Sequence, residues 1–213
     1  MAVRASYFRD ELIGDLDAKL RSANTLECSS AVLCRGLEGL GFNSFAYLRF
    51  ERDYRGAPVA RAVSLYPQEW CHRYVEANHF SIDPTLWQCA RRVTPVAWHN
   101  LRKLETKWYA SSDVFEEAHG YGLHNGIAIP IHSGNGGFSL MNATTDLYGK
   151  ESIRLIKVFQ DMVHMMSLVF HSHIENRIVQ SKLQLPEAKF PYREIHRFVR
   201  KMEHLKSPQS VQP

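Results

Sequence analysis

Apolar side chains recur at intervals of three and four residues over several segments of the chain, which is the spacing of one face of an α-helix. These segments lie at residues 6–22, 25–40, 113–121 and 149–182. Shorter apolar segments bounded by turn residues are typical of β-strands and lie at residues 44–50, 59–65, 126–132 and 138–144. The Asn-Gly pair before the last of them is a strong hairpin signal. The pattern therefore predicts helices combined with antiparallel strand pairs.

The segment at 149–182 carries a longer apolar stripe than one face of a small sheet requires. The stripe runs through Leu155, Phe159, Met162, Met166, Val169 or Phe170, Ile174 and Ile178. Two interpretations follow: part of the stripe meets a second subunit, or all of it packs in the core. One more amphipathic helix is expected in the tail, with Ile195, Phe198, Val199, Met202 and Leu205 on its apolar side.

The composition is that of an ordinary globular domain, with 213 residues of which 45% are hydrophobic and 23% charged. No segment resembles a transmembrane span or a signal peptide, and the four cysteines show no paired or metal-binding spacing. A cytoplasmic protein with reduced thiols and no membrane association is therefore expected. Residues 187–213 hold six basic and three acidic side chains, so the rest of the chain is close to neutral and requires no polyanionic partner.

Catalytic motifs are missing from the sequence. It has no Gly-x-Ser-x-Gly turn and no His-Glu-x-x-His motif, and Asp83 has no obvious carboxylate partner. The histidines are scattered, and those nearest to a cluster (His164, His171 and His173) are more typical of a polar helix surface than of a metal site. We therefore predict no enzymatic activity and no bound metal.

One short stretch concentrates amphipathic rings around an isolated carboxylate. Tyr66, Trp70 and Tyr74 are four residues apart, so on a helix started by the intervening proline they are expected along one side. Asp83 follows within Ile-Asp-Pro, and Trp98 closes the run. Rings with a polar tip and a single acid suit a small, mostly apolar ligand with a polar head.

Each of these residues also has a purely structural interpretation. An Asp before a proline is a common helix start, so Asp83 could cap a helix instead of accepting an amide N–H of a ligand. The indole N–H of Trp70 can only donate and would suit a carbonyl oxygen. The rings could equally be ordinary core residues, and the residues alone leave these alternatives open.

Two ordered sets of residues resemble a known family. The first is Tyr66-Pro-x-x-Trp70-x-x-x-Tyr74, followed by Asp83-Pro and by Pro-x-x-Trp98. The second is Phe115-x-x-Ala118-x-x-x-Gly122-Leu123-x-x-Gly126-x-x-x-Pro130. With the segment Ile-Pro-Ile-His-Ser-Gly-Asn-Gly-Gly-Phe-Ser-Leu, they resemble the autoinducer-binding domain of LuxR-type quorum-sensing regulators, and in particular its TraR-like branch.

The resemblance implies an α+β fold, an α–β–α sandwich whose central antiparallel sheet of about five strands carries helices on both faces. It implies an N-acyl-homoserine lactone as ligand and no cofactor. By position, Trp70 would bond to the lactone carbonyl, Asp83 to the amide N–H and Tyr66 to the acyl carbonyl. Tyr74 and Trp98 would wall the pocket.

The sequence departs from the family at two places. Asn142 stands where the family often has Ser or Thr against the first acyl carbons, which implies an altered preference for a 3-oxo or 3-hydroxy group. The family also continues into a helix-turn-helix domain. Here we predict a binding domain at residues 1–184, then a linker and short helical tail at 185–213, interpreted as a remnant of that domain. Without a recognition helix no specific DNA binding is expected.

Three functions are compatible with this prediction. The preferred one is a signal-binding protein that forms homodimers, or mixed dimers that inhibit a full-length LuxR-type regulator. The second is a signal sink that does not dimerise. The third is a degenerate transcriptional regulator whose basic tail retains weak, salt-dependent DNA binding.

Overall fold

The computed structural model of the protein describes residues 2–102, 111–133, 137–180 and 182–206. Its helices are α1 Ala2–Ser22, α2 Leu26–Glu38, α3 Gln68–Glu76, α4 Pro84–Cys89, α5 Trp98–Leu101, α6 Ser111–His119, α7 Gly149–Val179 and α8 Tyr192–Lys206. Its strands are β1 Ser44–Arg52, β2 Pro58–Ser64, β3 Val96–Ala97, β4 Asn125–His132 and β5 Phe138–Thr145. The predicted helices and strand pairs are confirmed; β3 is too short to show a pattern. The predicted Asn-Gly turn lies outside the described residues.

The strands form one antiparallel sheet in the order β2-β1-β5-β4-β3. Helices α1, α2 and α7 cover one face, and α3 to α6 together with α8 cover the other. We call the cluster on the first face the first core, which includes Leu20, Phe45, Tyr47, Ile129, Met166 and Phe170. The second core lies on the opposite face and includes Phe50, Trp70, Phe80, Trp98, Phe138 and Phe198. The predicted α–β–α sandwich is therefore confirmed.

Strand β1 shows how the sequence divides between these cores. Successive side chains of a strand point to opposite faces of the sheet. Phe45 and Tyr47 accordingly pack in the first core, while Leu48 and Phe50 pack in the second. Because both faces are covered, the strand is apolar on both sides, as the sequence predicted.

The apolar stripe of α7 faces the protein's own first core. Met166 and Ile174 are fully buried there, and Met162 is buried. Other apolar side chains of this helix are exposed: Val158 by 58%, Met165 by 48% and Leu168 by 36%. Most of the predicted stripe thus packs in the core, and a contact of its partly buried members with a second subunit stays a prediction. A different face of α7 is open. In the described ranges no helix is both long enough and apolar enough to cross a membrane.

The segment after residue 182 packs against the body of the fold. The Ala62 N–H donates to Pro186 O at 2.9 Å, and the Ala188 N–H donates to Ala60 O at 2.8 Å, which extends the sheet beyond the edge of β2. Helix α8 then buries Ile195, Phe198 and Met202 in the second core. The boundary at residue 184 stays a prediction, but the tail helix is not solvated on all sides.

Candidate ligand-binding site

Helix α3 positions two of the predicted rings. It begins at Gln68, with Pro67 at its N-cap, where a missing N–H costs no helical hydrogen bond. Trp70 and Tyr74 lie on this helix with ring centroids 5.7 Å apart. Tyr66 precedes the helix, so the prediction that all three rings share it is wrong for Tyr66.

Asp83 caps helix α4 and is buried, with 7% of its surface exposed. Its Oδ1 accepts from the N–H and from the hydroxyl of Thr85, both at 2.7 Å. Its Oδ2 accepts from the Tyr74 hydroxyl at 2.7 Å. The cap interpretation is therefore confirmed. A carboxylate has roughly four acceptor positions, so these three bonds leave capacity for one more donor.

Burial dominates the electrostatics of this carboxyl group. It raises the pKa of Asp83 above the ordinary 3.8, although the bonds from Thr85 and Tyr74 act in the opposite direction. Burial, with the Asp83 carboxylate beside it, also raises the pKa of Tyr74 well above its usual value. An incoming N–H donor would stabilise the charged form of Asp83, which the protein alone stabilises incompletely.

Trp98 and Asn142 form a second polar contact. The indole Nε1–H donates to Asn142 Oδ1 at 3.0 Å. Because an indole N–H can only donate, this bond fixes the amide with its oxygen toward Trp98 and its NH₂ group turned away. Asn142 lies on the central strand β5, opposite Ala46 of β1 and Ala128 of β4. The Asn142 side chain is buried on the second-core side of the sheet.

Gly126 explains why the Trp98 ring can lie against the sheet. A Cβ at this position would stand 3.1 Å from Trp98 Cε2 and 2.7 Å from the carbonyl oxygen of Ala143. Real side chains do not approach backbone so closely, so only glycine allows the indole ring to rest here. This glycine belongs to the second set of residues that carried the resemblance.

Tyr66 lies between the two polar contacts. Its buried hydroxyl has no hydrogen-bond partner of good geometry among the described residues. Burial raises the pKa of Tyr66 well above its ordinary value. The Thr144 hydroxyl lowers this pKa, and the Asp83 carboxylate raises it further. The Thr144 hydroxyl is already paired with that of Ser44 at 2.8 Å. The Tyr66 hydroxyl therefore makes no hydrogen bond of good geometry, although the Thr144 hydroxyl is close enough to lower its pKa.

His79 belongs to the site and was missed from the sequence. It is buried, and its ring stacks on Trp70 at a centroid distance of 5.6 Å. Its Nε2 lies 3.2 Å from Glu117 Oε2. Arg73, and less strongly His79, lower the pKa of Glu117 to about 2. His79 thus supports the back of the Trp70 ring. Asn78 before it adopts a left-handed conformation, φ 53°, a reversal that spacing alone does not reveal.

The histidines of α7 make separate contacts. His171 bonds to the Tyr47 hydroxyl at 2.7 Å, and His173 bonds to Ser29 at 3.0 Å. Burial lowers the pKa of both. Both are half-buried at the border of the first core, where they bond to polar groups of neighbouring elements. The described residues contain no group of ligating side chains that could hold a metal ion.

All six predicted site residues lie on the second-core side of the sheet: Tyr66, Trp70, Tyr74, Asp83, Trp98 and Asn142. Direct contacts join Trp70 to Tyr74, Tyr74 to Asp83, and Trp98 to Asn142. The arrangement is a buried aromatic site that offers donors and an acceptor on its inner side. Binding of a ligand by these residues stays a prediction.

Known proteins are similar to this chain in architecture and, over part of its length, in sequence. Residues 27–174 match the autoinducer binding domain family. The transcriptional activator AnoR of Acinetobacter nosocomialis is 33% identical over 89 residues, which cover 42% of this chain and 36% of AnoR. TraR of Rhizobium radiobacter is 24% identical over 132 residues, or 60% of this chain and 54% of TraR. This chain thus matches about half of these relatives or less.

The solved structure of CepR2 from Burkholderia cenocepacia, described as an N-acylhomoserine lactone-dependent LuxR family transcription factor, has the same fold. It superposes with a TM-score of 0.66 at 21% identity and covers 81% of this chain and 99% of that one. The family match identifies a signal-receptor domain of this fold. The chain belongs to the autoinducer-binding-domain family of LuxR-type regulators, whose members are receptors rather than enzymes.

Proposed function

We propose that the protein binds an N-acyl-homoserine lactone as a quorum-sensing signal in its second core. The observation that carries the proposal is a buried carboxylate, Asp83, with acceptor capacity left over, beside a buried Tyr66 hydroxyl that lacks an acceptor. A buried polar group without a partner costs free energy. A ligand that supplies both an amide N–H and a carbonyl oxygen satisfies both groups.

The head group of such a ligand fits the donors around these two residues. The amide N–H would donate to Asp83, and Tyr66 would donate to the acyl carbonyl. The Trp70 indole N–H can only donate, and it would donate to the lactone carbonyl. The acyl chain would lie on the apolar part of the same face, where each buried methylene contributes about 0.8 kcal/mol.

Thermal melting against a panel of lactones tests the proposal, with acyl chains of about four to fourteen carbons to span a wide range of buried apolar area. A ligand that binds only the folded protein raises its melting temperature. We expect a clear rise with at least one lactone and a smaller rise for Asp83→Asn. Flat melting of a folded sample across the panel would contradict lactone binding.

We further propose that the exposed side of α7 carries a dimer contact, through which the protein inhibits a full-length regulator by forming mixed dimers. The support is a set of exposed apolar side chains along one helix: Val158, Met165 and Leu168. An exposed apolar set of this kind is typical of an interaction surface. The same surface would serve a homodimer.

Co-purification with a tagged full-length relative tests this second proposal. Met165→Glu should abolish retention, because it places a charge in the contact. Lys157→Glu changes a neighbouring exposed position that is not apolar and serves as the control. Lactone uptake without any retention of a partner would instead favour a signal sink.

A further inference from the structure

We propose that helix α8 closes the apolar end of the binding site and sets the longest acyl chain that the protein accepts. The inference rests on the proposed lactone binding. It concerns the part of the chain after residue 184, which lies beyond the stretch that matches the family.

The second-core face of the sheet changes from polar to apolar side chains along β1 and β5. At one end Ser44 pairs with Thr144, and their hydroxyls bond to each other. The next row on this face holds Asn142, and the row after it holds Leu48 and Leu140. Along β1 and β5, only one of the two directions away from Asn142 is therefore apolar. An acyl chain that starts at the polar groups runs along Leu48 and Leu140.

Phe50 and Phe138 form the next row and end this apolar path. Rows on one face are about 7 Å apart, so this row lies about 14 Å from Asn142. Phe198 of α8 packs over it, with ring centroids 4.7 Å from Phe50 and 5.8 Å from Phe138. Phe198 also lies 5.1 Å from Trp87 of α4 and is fully buried. The tail helix thus provides the end wall of the path.

The segment before α8 contacts the polar part of the site. Phe190 lies 4.7 Å from Phe80 and 5.9 Å from Tyr74, measured between ring centroids. Tyr74 in turn donates to Asp83. The backbone bonds that join Ala60 and Ala62 to residues 186–188 fix where this segment lies. The tail therefore touches both ends of the proposed ligand path.

Truncating Phe198 should lengthen the preferred ligand. Removing a buried ring leaves a cavity, and a longer acyl chain can fill it. We expect the lactone that gives Phe198→Ala its largest rise in melting temperature to be longer than the wild-type optimum by about two carbons or more, with a smaller lengthening for Phe198→Leu.

Phe170→Ala is the matched control, because Phe170 is equally buried but lies in the first core. It should lower the melting temperature while the wild-type protein and the variant prefer the same lactone. If Phe198→Ala does not fold, Phe198→Leu provides the comparison. If the Phe198 variants prefer the same lactone as Phe170→Ala, the role of α8 is overturned while the proposal of lactone binding still stands. A wild-type protein that responds to no lactone would overturn both proposals.

Discussion

The two faces of the sheet bury similar amounts of apolar side chain but treat polar groups differently. In the first core, the Tyr47 hydroxyl donates to Ser139 at 3.2 Å and is paired with His171 at 2.7 Å. In the second core, the Tyr66 hydroxyl has no partner among the described residues. A folded chain normally satisfies its buried polar groups. Of these two tyrosine hydroxyls, only the one in the second core lacks a partner, which supports the ligand site proposed there.

Truncation within the first core should give the largest loss of stability. Phe170 packs edge-on against Phe45 and Tyr47, with centroids 5.8 and 5.6 Å away. Phe170→Ala should lower the free energy of unfolding by about 3–5 kcal/mol, measured by chemical denaturation without ligand. The choice of lactone should not change. An altered ligand preference would show that the two faces are not independent.

Asp83→Asn should instead damage binding more than stability. Losing a charge-assisted hydrogen bond of about 1.5–3 kcal/mol should weaken lactone affinity about 10- to 100-fold, measured by titration. Because Asn also caps helices well, the ligand-free protein should remain folded. Asp53→Asn is a matched control, since Asp53 accepts two backbone N–H bonds in a turn far from the site. Unchanged affinity in Asp83→Asn would leave the helix cap as the only role of this residue.

The same substitution should show a characteristic pH dependence. The folded pKa of Asp83 is raised above its ordinary 3.8, chiefly by burial. Protonated Asp83 therefore stabilises the folded protein fully below pH 3.8. This stabilisation is lost as the pH rises through the folded pKa. We expect the ligand-free wild type to lose stability relative to Asp83→Asn over that window. A constant difference between the two proteins, measured by denaturation from acid to neutral pH, would contradict this.

The smallest but most direct test removes one hydroxyl from each face. Tyr47→Phe should cost about 1 kcal/mol of stability, because Ser139 and His171 lose their partner. Tyr66→Phe should leave the stability of the ligand-free protein unchanged or raise it by about 1 kcal/mol, because the lost hydroxyl was unpaired. With lactone bound, Tyr66→Phe should bind about fivefold more weakly, a loss of about 1 kcal/mol. Equal losses of stability in the two variants would remove the distinction between the faces.

Much of the fold could be predicted from the sequence, because its periodicities are strong. The helical spacing of α7 and the apolar strands β4 and β5 are set by local preferences. The sequence could not show what covers the apolar stripe of α7, since Met166 and Ile174 fit a core and an interface equally well. The stripe is covered by first-core residues that are distant from α7 in the sequence.

The candidate site was predicted in part. The two interpretations of Asp83 looked exclusive in the sequence, yet the geometry confirms the cap and still leaves one acceptor position. His79 could not be found by spacing, because a left-handed Asn78 and a short 3₁₀ turn bring it behind Trp70. Phe198 was expected on the apolar side of the tail helix, but the sequence could not show which surface that side packs against.

The pairing of residues 186–188 with β2 has a consequence for folding. Strand β2 is an outer strand of the sheet, and its free N–H and C=O groups would otherwise offer a template for another chain. The segment that covers this edge comes more than a hundred residues later in the sequence. Because residues 186–188 follow all five strands in the sequence, a nascent chain whose strands are complete but whose tail is not exposes both the edge and the aromatic rows beside it. The tail therefore covers this edge against pairing with another chain, but only after the rest of the sheet has been synthesised.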